Sequence, residues 1–294
     1  TVTPCRFPTG PCGMRIPPFS EALDVPLTVG ALSQRLFPDP SPGSRPVGTG
    51  FWVSNYRAAI QESQTLVATC REQACSRVLI QMPSLNDDEG IWREYARLLS
   101  LVQEAGIDVL ALDGYPEAIQ EPQLLADKIR RLLQLVRPGA LSGVQLDIEP
   151  YLLPGFLDDD AQFRRYLGTI ETMHEALQGR ARLSMVIPFW LATPTVGGRP
   201  LAYAVMDRAD EVAVMSYRTD LDEVQEIAED ILRYGDVIGK PVWLAVETTR
   251  LPVELEIRKS GRRSPLTSPM PTASKPKLAN LKLPARILMA KWEY

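Results

Sequence analysis

Residues 143–149 read GVQLDIE, so Gln145, Asp147 and Glu149 alternate with Val144, Leu146 and Ile148. Successive side chains of a β-strand point to opposite faces. A strand here therefore sets three aliphatic groups on one face and three polar groups on the other. Two acids on one inward row disturb each other, because burial and a neighbouring charge both favour the protonated carboxyl. One carboxyl that keeps its proton beside one that stays ionised is equipment for acid–base catalysis. A structural pair capping backbone groups would share the pattern, but perturbed pairs cluster at active sites.

Residues 240–247, KPVWLAVE, repeat the theme. Trp243, Ala245 and Glu247 share the inward face, with Glu247 last. Facing Glu149 across a cavity, Glu247 completes the two carboxylates that hydrolysis of a glycosidic bond requires. A separation of about 5 Å means retention and a wider one inversion. In residues 211–218, EVAVMSYR, Met215 and Tyr217 point inward, and Arg218 can pair with Asp220 or a site carboxylate. Phe189 and Trp190 close the run IPFW and offer flat faces to a sugar ring. Asp113 adds a further carboxylate, or caps the loop before Gly114.

These residues need strands to carry them. The pattern predicts strands over about 51–54, 77–82, 107–113, 143–149, 182–189, 211–217 and 241–247. It predicts helices over about 57–74, 91–105, 121–136, 159–178, 200–208 and 221–235. Strand and helix alternate with short connections, which means a parallel sheet with helical crossovers. Seven units of about 30 residues fit a (β/α)8 TIM barrel, whose functional groups gather at the carboxyl ends of the strands. The eighth unit is irregular or incomplete: no helical pattern follows 241–247, and 286–292, RILMAKW, is the candidate closing strand. Residues 1–50 hold ten prolines and read as a leader; 51–250 form barrel units one to seven. Residues 251–294 carry nine Lys/Arg against three Asp/Glu and read as a basic, Pro- and Ser-rich tail.

Composition bounds the chemistry. With 45% hydrophobic and 23% charged residues in 294, the chain has ample material for a core. The net charge of -4 points to neither a nucleic-acid partner nor an anionic membrane surface, and no apolar run is long enough for insertion. The one histidine, His174, falls on a helix outside the barrel, so multi-histidine zinc chemistry is excluded. Four cysteines without a C-x-x-C argue against a zinc site and leave the compartment open. The chain starts at Thr1 without a basic-then-apolar signal pattern. No nucleophile elbow and no Gly-rich phosphate loop occurs.

Residues 143–149 resemble the fourth-strand signature of glycoside hydrolase family 18, the chitinase-like barrels, D-x-x-D-x-D-x-E. Glu149 falls on that family's catalytic acid and Asp147 on its supporting Asp, while Ser142 and Gln145 stand at the two earlier acidic positions. Met215-Ser216-Tyr217 resembles its sixth-strand M-x-Y, with Arg218 where an Asp usually follows, and Trp292 resembles its last-strand tryptophan. The resemblance implies a nucleophile supplied by the substrate's own acetamido group, held by the Asp and the Tyr. Glu149-Pro150 and Lys240–Glu247 also resemble the retaining clan with glutamates on strands four and seven. That likeness implies Glu149 as acid/base and Glu247 as nucleophile; Ile148 stands where an Asn normally precedes the first glutamate.

The sequence therefore reads as a glycoside-hydrolase-type barrel acting on a carbohydrate without cofactor or metal. Glu149 is the expected acid, Asp147 its tuner, Glu247 the second carboxylate and Tyr217 a positioning group. Trp190, Phe189, Arg218, Asp113 and Gln145 are the expected substrate contacts. Two alternatives remain: a carbohydrate-binding barrel without turnover, and a divalent-metal enzyme using Asp113, Asp147, Glu149 and Glu247. The sugar, linkage, compartment and oligomeric state stay open.

Overall fold

A computed structural model describes residues 48–217, 221–246 and 286–292 of the chain. Its strands are β1 (Gly50–Val53), β2 (Arg77–Gln81), β3 (Asp108–Asp113), β4 (Gly143–Leu146), β5 (Arg182–Pro188), β6 (Thr195–Val196), β7 (Arg199–Pro200), β8 (Glu211–Met215), β9 (Val242–Val246) and β10 (Arg286–Trp292). Its helices are α1 (Tyr56–Gln61), α2 (Ser63–Glu72), α3 (Glu89–Glu104), α4 (Pro122–Leu135), α5 (Asp160–Leu177), α6 (Leu201–Arg208), α7 (Leu221–Glu226) and α8 (Glu229–Ile238). Eight strands close into one ring in the order β1-β10-β9-β8-β5-β4-β3-β2, every pair parallel. The fold is a TIM barrel. The short antiparallel hairpin β6–β7 is inserted between the fifth and sixth barrel strands.

Alternation along the strands builds two cores. Val78, Ile80, Val109, Ala111, Val144, Leu146, Leu183 and Met185 face outward and pack under the helices. Leu79, Leu110, Leu112, Val186, Ala213, Met215 and Trp243 fill the interior. Each fully buried Leu or Val is worth about 1.5–3 kcal/mol, so a one-residue slip in register would undo much of the barrel.

Helix boundaries follow local chemistry. Asn55 caps α1 by accepting from Ala58 N, and Asp88 caps α3 by accepting from Ile91 N. Pro122 opens α4, where its missing N–H costs nothing. Two predicted helices differ in detail. That over 57–74 is broken at Glu62 into α1 and α2, and that over 221–235 is broken into α7 and α8. Cys70 and Cys75 are disulfide-bonded across the turn in which Ala74 takes φ 52°.

Of the eighth unit, expected to be irregular or incomplete, the described residues include the closing strand alone. Residues 247–285, between β9 and β10, lie outside the described residues. Strand β10 pairs with both neighbours, and its register against β1 shifts between Phe51 and Trp52.

The amino-end mouth is plugged by charge. Arg77, fully buried, pairs with Glu211 (2.5 Å) and Asp108 (2.6 Å), and its guanidinium lies 4.1 Å from the Trp243 ring centroid. Arg182 also reaches Asp108 at 2.9 Å. Burial raises the Asp108 carboxyl, but Arg77, Ser142 and Arg182 together outweigh it and hold it below its ordinary value. Buried pairs of this kind break expensively, because the survivor is left charged without a partner. Arg77→Ala is expected to cost about 3–5 kcal/mol in urea denaturation, and Arg77→Met with Glu211→Leu much less. Equal losses in the two variants would contradict the plug.

Candidate functional site

The opposite mouth, at the strand carboxyl ends, carries the candidate chemistry. Strand β4 stops pairing at Leu146, opposite Asp113, three residues earlier than the sequence predicts. One further backbone bond, from Asp147 N to Asp113 O at 2.8 Å, steers the chain out of the sheet. Pro150 then opens a short 3-10 helix, Pro150–Leu152, because it has no N–H to extend a ladder. Gly114 crosses the Asp147 peptide so closely that a Cβ there would lie 2.2 Å from Asp147 O. That crossing requires glycine and fixes where Asp147 leaves the sheet.

Gln145 points into the barrel and is fully buried. Its Oε1 accepts from Trp52 Nε1 at 2.5 Å and its Nε2 donates to Ser184 Oγ at 2.9 Å. Both ends of the amide are thus committed. Asp147 stands above it and reaches solvent only in part. Among the described residues its Oδ1 is buried without a hydrogen-bond partner. Burial, then the charge of Glu149, pushes the Asp147 carboxyl up to about 7. Glu149 Oε1 accepts a hydrogen bond from the Tyr151 hydroxyl. The Tyr151 ring meets Trp190 edge-on, centroids 4.9 Å apart. Burial and then Glu149 raise the Tyr151 phenol far above its ordinary value, so it stays a donor. Tyr166 on α5 is fully buried beneath the pair, and burial, Asp147 and Glu149 raise its phenol too.

The structure gathers only some of the expected residues. Asp147, Glu149 and Trp190 meet around Tyr151, and Gln145 lies beneath them as a scaffold. Tyr217 packs against the interior cluster with Met215 and Trp52. Phe189 opens the 3-10 helix Phe189–Ala192 and packs with the outer core rather than the interior. Asp113 faces the helix layer, as do Val109 and Ala111 on the same strand. It pairs with Lys128 of α4 and accepts from Gly114 N at 2.8 Å, so it serves the loop and not a substrate. That pairing also removes Asp113 from the divalent-metal set. Among the described residues no three His, Cys, Asp or Glu side chains could hold a metal ion. Glu247 and Arg218 lie outside the described residues. His174 sits on α5 with its ring Nε2 against Arg208 O, away from the mouth.

Four contributors escaped the sequence reading: Trp52, Tyr151, Tyr166 and Ser184. Strand alternation signals two of them. Trp52 lies between the outward Phe51 and Val53, and Ser184 between the outward Leu183 and Met185.

No family model matches the chain, and no curated protein matches it in sequence. Solved structures do match. A family 18 glycoside hydrolase chitinase from Pseudoalteromonas aurantia aligns with 83% of this chain and 94% of its own at 14% identity, with a TM-score of 0.50. The spore cortex-lytic enzyme SleL of Bacillus cereus aligns with 70% of this chain at 12% identity and a TM-score of 0.48. The chain spans about half the length (52%) of that enzyme. A tryptophan synthase from M. tuberculosis matches at 12% identity, covering 68% of this chain and 74% of its own, with a TM-score of 0.40. The chain is similar in fold to glycoside hydrolases, family 18 among them, and the barrel is what they share. Among the described residues no helix is long and apolar enough to cross a membrane.

The raised Asp147 carboxyl has a stability consequence. An unfolded Asp loses its proton near pH 4, whereas folded Asp147 keeps it to about 7. Across that window the folded state binds the extra proton, so stability falls as pH rises. The difference is on the order of 4 kcal/mol. Asp147→Asn removes it, so this variant should gain on the wild type by up to that amount between about pH 4 and 8. Denaturant titrations of both proteins across the range read this directly, and a pH-independent difference would contradict a buried protonated Asp147.

Proposed function

We propose that the protein is a glycoside-hydrolase-like enzyme that cleaves a glycosidic bond with the carboxyl pair Asp147 and Glu149. One observation carries the reading: a buried carboxyl, held protonated near neutral pH and with an oxygen unbonded, beside a second carboxyl at the barrel mouth. Such a pair can hand a proton to a leaving oxygen and take one from water. The sequence reading gives the proton to Glu149, whereas burial favours Asp147 as its store. Glu247, the residue that follows β9 in sequence, is the proposed second carboxylate. Trp190 and Tyr151 supply an aromatic wall suited to a sugar ring, and Tyr217, two residues past β8, a hydroxyl. The fold shared with a chitinase supports a carbohydrate as the substrate class.

A carbohydrate-binding barrel without turnover is the second reading. The neutral, fully committed Gln145 favours it, since the family motif carries an acid there.

A panel of aryl glycosides decides between them. Turnover that falls by about 100- to 10,000-fold in Glu149→Gln, with sugar binding retained, is the expected result. Binding without turnover in the wild type establishes the second reading, and neither binding nor turnover on any glycan sinks both.

A further inference from the structure

The hydroxyl of Tyr151 has no role in either family resemblance, yet it touches the pair. We propose that Tyr151 is the positioning residue of this site: its hydroxyl, donated to Glu149 and braced by Trp190, holds Glu149 as the ionised member and leaves the pair's proton on Asp147. The inference deepens the acid–base reading above and rests on it for its catalytic meaning.

The argument is geometric. Tyr151 follows Glu149 by two residues, on the 3-10 turn that Pro150 initiates. That turn folds its hydroxyl back onto Glu149 Oε1. The edge-on contact with Trp190, at 4.9 Å, fixes the ring from the other side. A phenol hydroxyl that stays protonated can donate, and a donated hydrogen bond favours the charged carboxylate over the neutral acid. Asp147 has no such donor at Oδ1 among the described residues. Of two coupled carboxyls, the one with the donor ionises first, and its charge then makes the other harder to ionise. Tyr151 from the turn and Tyr166 from α5 are titratable groups that feel the charge of the pair. Neither is a cation, so no positive charge among these groups competes with the Tyr151 donor.

Tyr151→Phe isolates the hydroxyl, because the ring against Trp190 is kept. The readout is carboxyl 13C NMR of Asp- and Glu-labelled full-length protein, with resonances assigned through Asp147→Asn and Glu149→Gln. At about pH 5.5 the wild type should show Asp147 protonated and Glu149 ionised. In Tyr151→Phe the protonated fraction at Glu149 should rise several-fold, with the circular dichroism spectrum of the wild type retained. Identical protonated fractions in the two proteins overturn the proposal. Should the variant fail to fold, the wild-type Tyr151 phenol carbon serves instead. It should shift as Glu149 ionises, and a resonance that stays fixed across that titration overturns the proposal equally. The two readings fail separately. A redistributed proton in a protein that turns over no glycoside leaves Tyr151 in place and removes the glycosidase. Turnover with identical protonated fractions does the reverse.

Discussion

The desolvated carboxyl of Asp147 is the constraint around which the mouth of this barrel is arranged. A carboxylate taken out of water without hydrogen bonds costs several kcal/mol, and the least costly escape is to keep the proton. Its surroundings enforce that choice. Gly114 presses on the Asp147 peptide, the buried Tyr166 lies near enough to feel its charge, and Glu149 adds a like charge two residues along. The protein accepts a less stable ground state at this point, which is how strained or perturbed groups at functional sites usually persist.

The other end of the barrel shows the opposite solution to the same problem. Arg77, Asp108 and Glu211 are also charges removed from water, but each has an opposite partner at hydrogen-bond distance. The guanidinium supplies forked donors that suit two carboxylates at once. Charge that is fully matched holds strands together, and charge that is left unmatched stores a proton. The contrast distinguishes the two ends of the barrel by how each treats its buried charge. It agrees with the general placement of barrel chemistry at strand carboxyl ends.

The fold was largely legible because it rests on local patterns. Aliphatics at alternate positions located seven strands, and the inward parity of Gln145, Met215 and Trp243 follows from the same rule. What escaped was set by events that break the pattern. Pro150 ends the strand rule just before Tyr151, so the row of 145, 147 and 149 gave no reason to extend to 151. Asp113 was ambiguous until Val109 and Ala111 fixed its parity as outward and Lys128 claimed it. Tyr166 arrives from a helix some twenty residues downstream, and only tertiary packing brings it beneath the pair. The breaks inside the first and the sixth helical segments fall at Glu62 and Ala228, where no side chain caps the turn that follows.

Among the described residues, the neutral Gln145 leaves Glu149 as the carboxyl whose charge acts on Asp147. An acid at this position would stand directly below Asp147, share its proton and divide the pair's charge in two. The amide instead is satisfied at both ends, by the Trp52 indole and the Ser184 hydroxyl, and contributes no charge. A neutral, saturated group is the one kind of polar residue that can line a packed interior at little cost. Asp147 therefore answers to its burial and to Glu149, whose Oε1 accepts from the Tyr151 hydroxyl. The acid–base balance of the described site thereby reduces to three side chains at alternate positions along one short stretch of chain, 147, 149 and 151.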